Sequence, residues 1–195
     1  GDVYKRQALW IALNDLADTW SLEVVTKNLS EFADKAINLS WRASFLKELK
    51  KGKLPKQYDG DPNKVGFFIL AMGKLGAFEL NYSSDIDLIC FFDEEVFPPE
   101  EFQNVRRIFI NATKNMYRIL NENGKDGYVF RTDLRLRPDP SVTPVCMAVD
   151  AAERYYASLG RTWERAAFIK ARVCAGEHSA GIKFLKSMEP FVWRK

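Results

Sequence analysis

The sequence predicts an α/β fold: a small mixed sheet with acidic residues at its edge, preceded and followed by helices. Three observations predict it. Apolar residues recur at helical spacing over residues 8–51. Two short apolar runs, 66–72 and 85–92, read as buried strands separated by a turn of small residues. A third run, 128–137, alternates charged and apolar residues with the period of a strand.

Taken in order, a first helix opens at Ala8 and carries Leu9, Leu13, Leu16 and Trp20 at helical spacing. Ser21 can cap a second, whose stripe is Val25, Leu29, Phe32, Ala36 and Leu39, running on to Phe45 and Leu49. Trp10, Trp20 and Trp41 fall in this region and are assigned to core packing. Residues 52–63, with Pro55, Gly60 and Pro62, read as a polar connection and a boundary. Gly66 to Met72 is the first strand, Gly73-Lys74-Leu75-Gly76-Ala77 a turn, and Asp85 to Phe92 the second strand. Pro98-Pro99-Glu100-Glu101 opens a helix with proline and acids in its first turn. Its apolar face is Phe102, Val105, Phe109, Ala112, Met116 and Leu120, and Asn123-Gly124 ends it. Tyr128 to Arg137 is the third strand, stopped by Pro138. From Asp150 the chain is expected to be helical again, broken near Gly160 and Gly176, with Phe184, Leu185, Phe191 and Trp193 as an exposed apolar tail.

The expected organisation is a helical segment at 8–63, a core at 64–147 and a second helical segment at 148–195. Residues 1–7 read as translated adapter sequence outside the fold, and both ends read as cut.

Composition narrows the function. Of 195 residues, 47% are hydrophobic and 28% charged, the balance of a globular chain rather than a disordered one. The net charge of +3 is too small to argue for nucleic acid, and the basic residues are spread out apart from the short run Lys50, Lys51 and Lys53. Cys90, Cys146 and Cys174 are far apart and form no CxxC pair, so free thiols in a reducing compartment are expected. The lone His178 excludes His-rich metal sites and reads as a surface residue. No apolar run approaches membrane length, so no membrane contact and a cytoplasmic location are expected.

The chemistry concentrates in carboxylates. Period-two alternation puts Asp85 and Asp87 on one face at the entrance of a strand that is otherwise apolar. Two carboxylates about 6 Å apart repel by roughly 3 kcal/mol at an effective dielectric near 20. A divalent cation would supply the counter-charge, and oxygen ligands suit Mg²⁺, with Mn²⁺ as an alternative. A pair of solvated acids at a strand end is the competing reading. The third strand sets Arg131, Asp133, Arg135 and Arg137 on one face. Guanidinium groups beside acids suit a phosphate-and-metal site, although an exposed sheet face alternates in the same way. The turn at Gly73, Lys74 and Gly76 lacks Walker A spacing, yet small residues there can bring backbone close to a phosphate.

These residues carry a resemblance. Gly73-Lys74-Leu75-Gly76-Ala77 followed by Glu79-Leu80-Asn81-Tyr82-Ser83-Ser84-Asp85-Ile86-Asp87-Leu88 resembles the signature of the bacterial glutamine synthetase adenylyltransferase family, within the polymerase-beta-like nucleotidyltransferase superfamily. Tyr128 to Pro138 is similar to its second block, with Asp133 as third carboxylate. Arg161-Thr162-Trp163-Glu164-Arg165 and Ile169-Lys170-Ala171-Arg172 are similar to its third. The resemblance runs from about Leu9 to Lys195. Ala77 departs from it, since the superfamily usually has Gly or Ser there.

The resemblance implies three metal-holding catalytic acids, Asp85, Asp87 and Asp133. It implies nucleotide or phosphate contacts from Gly73, Lys74, Gly76, Ser83, Ser84, Arg131, Arg135 and Arg137. Glu164, Lys170 and Arg172 are further implied candidates, with plain helix packing as their competing reading. It implies glutamine synthetase as partner, orthophosphate with AMP/ADP, or ATP, as small substrates, and a P-II-type nitrogen-signalling protein as regulator. The family's enzymes are long and hold two such domains. One attaches AMP to a tyrosine and the other removes it by phosphorolysis. The attaching half reads Asp-Ala-Arg-Leu-Arg-Pro and Trp-Glu-His-Gln, whereas here Leu134 follows Asp133, and Arg165 and Ala166 follow Glu164. These residues and the tail Pro190 to Arg194 resemble the removing half. Attachment from ATP, a nucleic-acid-directed transferase and a non-catalytic docking module are the rival readings.

Overall fold

A computed structural model describes residues 2–51, 61–123 and 127–193. The order of elements is α1 (Asp2–Leu16), α2 (Leu22–Leu49), β1 (Phe67–Ala71), α3 (Gly73–Gly76), β2 (Ile86–Phe92), α4 (Phe102–Asn121), β3 (Thr132–Asp133), β4 (Cys146–Ala148), α5 (Val149–Ser158), α6 (Thr162–Phe168), β5 (Arg172–Gly176), α7 (His178–Ser187) and α8 (Glu189–Val192). The α/β expectation holds.

The sheet is mixed, in the order β3-β2-β1-β5. β1 runs antiparallel to β2 and to β5. β3 and β4 both lie parallel to β2, on its free edge: β3 pairs with Ile86 and Asp87, β4 with Cys90 to Phe92. Both faces are covered, because strand side chains alternate between them. Phe67, Ile69, Ala71, Ile86, Leu88, Cys90 and Phe92 pack with α2 and α4. Phe68, Leu70, Ile89 and Phe91 pack with residues of α5, α6 and α7. Trp41 anchors the first layer: it is fully buried, its ring stacks on Phe67, and its indole N–H donates to the Pro62 carbonyl.

The predicted stripes of the second and fourth helices hold in large part. Val25, Leu29, Phe32, Ala36 and Phe45 are buried, as are Val105, Phe109, Ala112, Met116 and Leu120. Leu39 is exposed, and Ile37 and Trp41 take the inner positions. Ser21 sits at the N-cap of α2, though its hydroxyl makes no capping bond.

Several expectations fail. α1 begins at Asp2 and so includes residues of the 1–7 segment, which leaves open whether that segment is adapter-derived. Among its described side chains Ile11 is buried, while Leu9, Leu13 and Leu16 are exposed. Ile11 joins the core cluster that includes residues of α2, and Ala8 and Trp20 pack against it, so a different face from the one carrying Leu9, Leu13 and Leu16 turns inward. The third strand is two residues long instead of ten. The Asp133 carboxylate accepts from the Arg135 backbone N–H at 2.7 Å, a local bond that turns the chain away from the ladder. The C-terminal region is not wholly helical, since β5 lies across it. Its sequence, Arg-Val-Cys-Ala-Gly, shows no alternation, and pairing with β1 makes it a strand. The apolar tail is largely absorbed: Phe184 is buried and Leu185 and Phe191 pack on the second cluster, leaving Trp193 exposed. Residues 52–60 of the predicted connection, Gly124 of the predicted helix stop and Lys53 lie outside the described residues.

The three cysteines are free and buried, and burial pushes the Cys90 thiol up to about 12. His178 is exposed at the start of α7. No helix among the described residues is long and apolar enough to cross a membrane.

Gly176 ends β5 at φ 80°, and a Cβ there would lie 2.3 Å from the Phe67 carbonyl oxygen. Gly176→Ala is expected to cost roughly 2–4 kcal/mol of stability through backbone strain and overpacking. A urea titration checks this: the midpoint should fall at constant slope, and an unmoved midpoint would contradict the close approach.

Candidate active site

The site forms where β1 ends, β2 begins and β3 joins it. The parallel ladder sets Asp87 directly beside Asp133, with Ile86 beside Thr132. Asp85 immediately precedes the strand, close enough for its charge to act on Asp87, and it lines the same cavity as Asp133. The three carboxylates that the sequence singled out are thus brought to one corner.

Each acid has a different environment. Asp87 is half-buried, and burial raises its pKa above the ordinary value, with the charges of Asp133 and Asp85 adding to the rise. Asp133 is pulled the other way: hydrogen bonds from Arg135 hold its carboxyl below the usual range. Arg135 grips both oxygens of Asp133, with Nε at 3.0 and 2.9 Å and Nη2 at 2.5 Å from Oδ2. Asp85 pairs with Arg131, Nε to Oδ1 at 2.5 Å, and Arg131 also donates to the Ser83 carbonyl. Among the described residues no three acids, cysteines or histidines converge closely enough to hold a metal ion as they stand. The donor set still fits one by chemistry: three carboxylates on paired strands are hard oxygen ligands of the kind Mg²⁺ takes.

The turn after β1 forms the second wall. Gly73 starts α3 at φ 54°, and a Cβ on it would lie 2.9 Å from Asp87 Oδ2, so glycine lets the backbone reach the acid. Lys74 donates to the Ser84 hydroxyl, and Asn81 Oδ1 gathers Ser83 and Ser84. Gly73 thus adjoins Asp87, and the Ser83 carbonyl meets Arg131, the partner of Asp85.

Other candidates have structural roles. A Cβ on Gly76 would meet the Lys170 carbonyl oxygen at 2.0 Å, so this glycine permits close backbone packing. Lys170 pairs with Glu79 at 2.7 Å. Arg172 makes two bonds to Asp34 on α2, donates to the Leu75 carbonyl, and lies 3.8 Å over the Phe78 ring. Glu164 is buried in the capping box of α6, bonded to the Arg161 N–H and the Tyr155 hydroxyl. Arg137 is spent on its own turn, donating to the carbonyls of Leu134, Pro140 and Thr143. It still borders the cavity.

That cavity has a volume of about 420 Å³ and is lined by Asp85, Asp133, Arg135 and Arg137, together with Lys114 and Tyr117 of α4. Sequence reasoning missed the last two. Their signal was a cation and an aromatic one turn apart, flanking the buried Thr113 and Met116. It also missed Asp34, an acid lodged between the buried Ala33 and Ala36.

A family model described as glutamate-ammonia ligase adenylyltransferase matches residues 2–187. The chain belongs to that family. Curated members similar to it include a bifunctional glutamine synthetase adenylyltransferase/adenylyl-removing enzyme of Bradyrhizobium sp., 49% identical over 96% of this chain and 19% of the relative. One of the same name from Caulobacter vibrioides is 46% identical over the same shares. The chain thus spans about a fifth of the length of these family members.

Since burial and two acids raise Asp87 above its ordinary 3.8, the folded chain keeps a proton that the unfolded chain releases. Its contribution to stability therefore falls as pH rises from 3.8 through the folded value, and stays low above it. Asp87→Asn removes that loss. In chelator-containing buffer the variant should melt at or above the wild-type temperature at neutral pH, with the difference opening as pH rises from acid. A variant that melts well below wild type at neutral pH would refute this.

Proposed function

We propose that this chain carries a nucleotidyltransferase centre that removes AMP from an adenylylated tyrosine of glutamine synthetase by phosphorolysis, in the cytoplasm. One observation carries the reading: the β2–β3 register that sets Asp87 beside Asp133, with Asp85 lining the same cavity as Asp133, Arg131 paired to Asp85 and Arg135 paired to Asp133. The names of the similar family members include both adenylyl attachment and adenylyl removal. Removal is favoured by Leu134 after Asp133 and by Arg165 and Ala166 after Glu164, the residues that resemble the removing half.

Asp85, Asp87 and Asp133 would hold a divalent cation, Mg²⁺ or Mn²⁺, which when bound neutralises charge on the reacting phosphate. An orthophosphate oxygen forms a bond to the phosphorus of AMP as the bond from phosphorus to the tyrosine oxygen breaks. The electron pair leaves with the tyrosinate, which takes a proton from solvent, and ADP is released. Orthophosphate is already an anion, so guanidinium positioning matters more than a general base. A phenol pKa of about 10 makes tyrosinate a fair leaving group. Arg131 and Arg135 are the groups that would grip the phosphates; Arg137, committed to its turn, shapes the loop that carries them.

Adenylyl attachment from ATP would use the same acids, so products separate the two. Adenylylated glutamine synthetase, orthophosphate and Mg²⁺ should yield ADP on anion-exchange chromatography, and Asp133→Asn should abolish it. Pyrophosphate released from ATP, with AMP appearing on the synthetase, would assign the opposite direction.

A further inference from the structure

We propose that Arg131 and Arg135 are exchangeable counter-ions of the catalytic acids: they hold Asp85 and Asp133 until phosphate oxygens draw them off, so that anion and divalent-cation binding reinforce each other. This rests on the reading that the acids take a divalent cation.

The bonds already on these carboxylates carry the inference. Asp133 has both oxygens engaged by Arg135, and Oδ1 also accepts from the Arg135 backbone N–H. Asp85 gives Oδ1 to Arg131. A cation shared by the three acids needs those same oxygens. The present side-chain directions satisfy the arginines and do not converge on one point. Cation and guanidinium therefore compete for the same lone pairs.

Both arginines are able to leave. Their side chains are 54% and 81% exposed, so solvent screens the pairs and release costs little. Arg137 is the contrast: three carbonyls of its own loop hold it in place. A released guanidinium needs a new partner. A phosphate matches its planar fork as well as a carboxylate does. Arg135 also lines the same cavity as Asp85 and Asp133, so a phosphate that enters there meets it.

Linkage then fixes the sign. Phosphate that takes the arginines leaves the acids uncompensated, which strengthens cation binding. By reciprocity the cation frees the arginines and strengthens phosphate binding by the same factor. The site would discriminate against a cation without its substrate anion.

The test is calorimetric titration of the whole chain with Mg²⁺, with and without inorganic phosphate in both cell and syringe. In the wild type, phosphate should raise Mg²⁺ affinity about tenfold, a coupling of about 1.4 kcal/mol. Arg135→Gln and Arg131→Gln should each bind Mg²⁺ more tightly than wild type without phosphate, and should gain less when phosphate is added. Melting curves confirm that the variants fold, and the wild-type phosphate comparison stands without any variant. Mg²⁺ binding that phosphate leaves unchanged, or variants that bind Mg²⁺ no more tightly, would overturn the exchange while leaving the metal reading intact. Failure of every protein to bind Mg²⁺ would overturn both.

Discussion

The short parallel ladder that sets Asp87 against Asp133 constrains everything around it. Two carboxylates held side by side, with a third two residues away, carry a repulsion the backbone cannot relieve by moving. The structure answers locally. Arg131 and Arg135 neutralise the two outer acids, and burial displaces the titration of the middle one. The ladder itself is brief because Asp133 turns the chain by bonding Arg135, the same residue that neutralises it. One carboxylate thus ends a strand, fixes an arginine and remains a metal-ligand candidate.

A second set of contacts fixes the wall opposite. The segment from Lys170 to Arg172 grips the turn after β1 at several points: the Lys170 carbonyl against Gly76, the Lys170 ammonium on Glu79, and Arg172 on the Leu75 carbonyl and the Phe78 ring. Asp34 ties Arg172 to α2; desolvation raises its pKa, and the bond from Arg172 opposes that rise. Lys170 and Arg172, residues that resemble a nucleotide-lining block, thus brace the turn that follows Gly73. Glu164 belongs to the same class, as a buried helix cap.

These frames stand on two apolar layers. Alternation along β1 and β2 sends Phe67, Ile69, Leu88 and Phe92 to one side and Phe68, Leu70, Ile89 and Phe91 to the other. A sheet clamped between helices on both faces leaves its strand ends and free edge as the accessible places. The polar chemistry is found at such an end.

The sequence by itself determined the elements whose periodicity is local. The stripes of α2 and α4, the buried runs of β1 and β2, and the acid pair opening β2 follow from spacing alone, because each reports the face of one continuous segment. The three ordered blocks also sufficed for the family. Tertiary structure decided the rest. β4 and β5 are strands because an existing strand offers them partners, and neither carries a pattern of its own. Arg135 and Arg137 look equivalent by alternation, yet a turn two residues into β3 sends one to a carboxylate and the other to backbone carbonyls. Asp34 was silent because its partner Arg172 lies on another element, and Lys114 and Tyr117 line a cavity whose other walls are far away in sequence. Side-chain periodicity tells which face a residue takes, whereas its function depends on what the rest of the chain brings to that face.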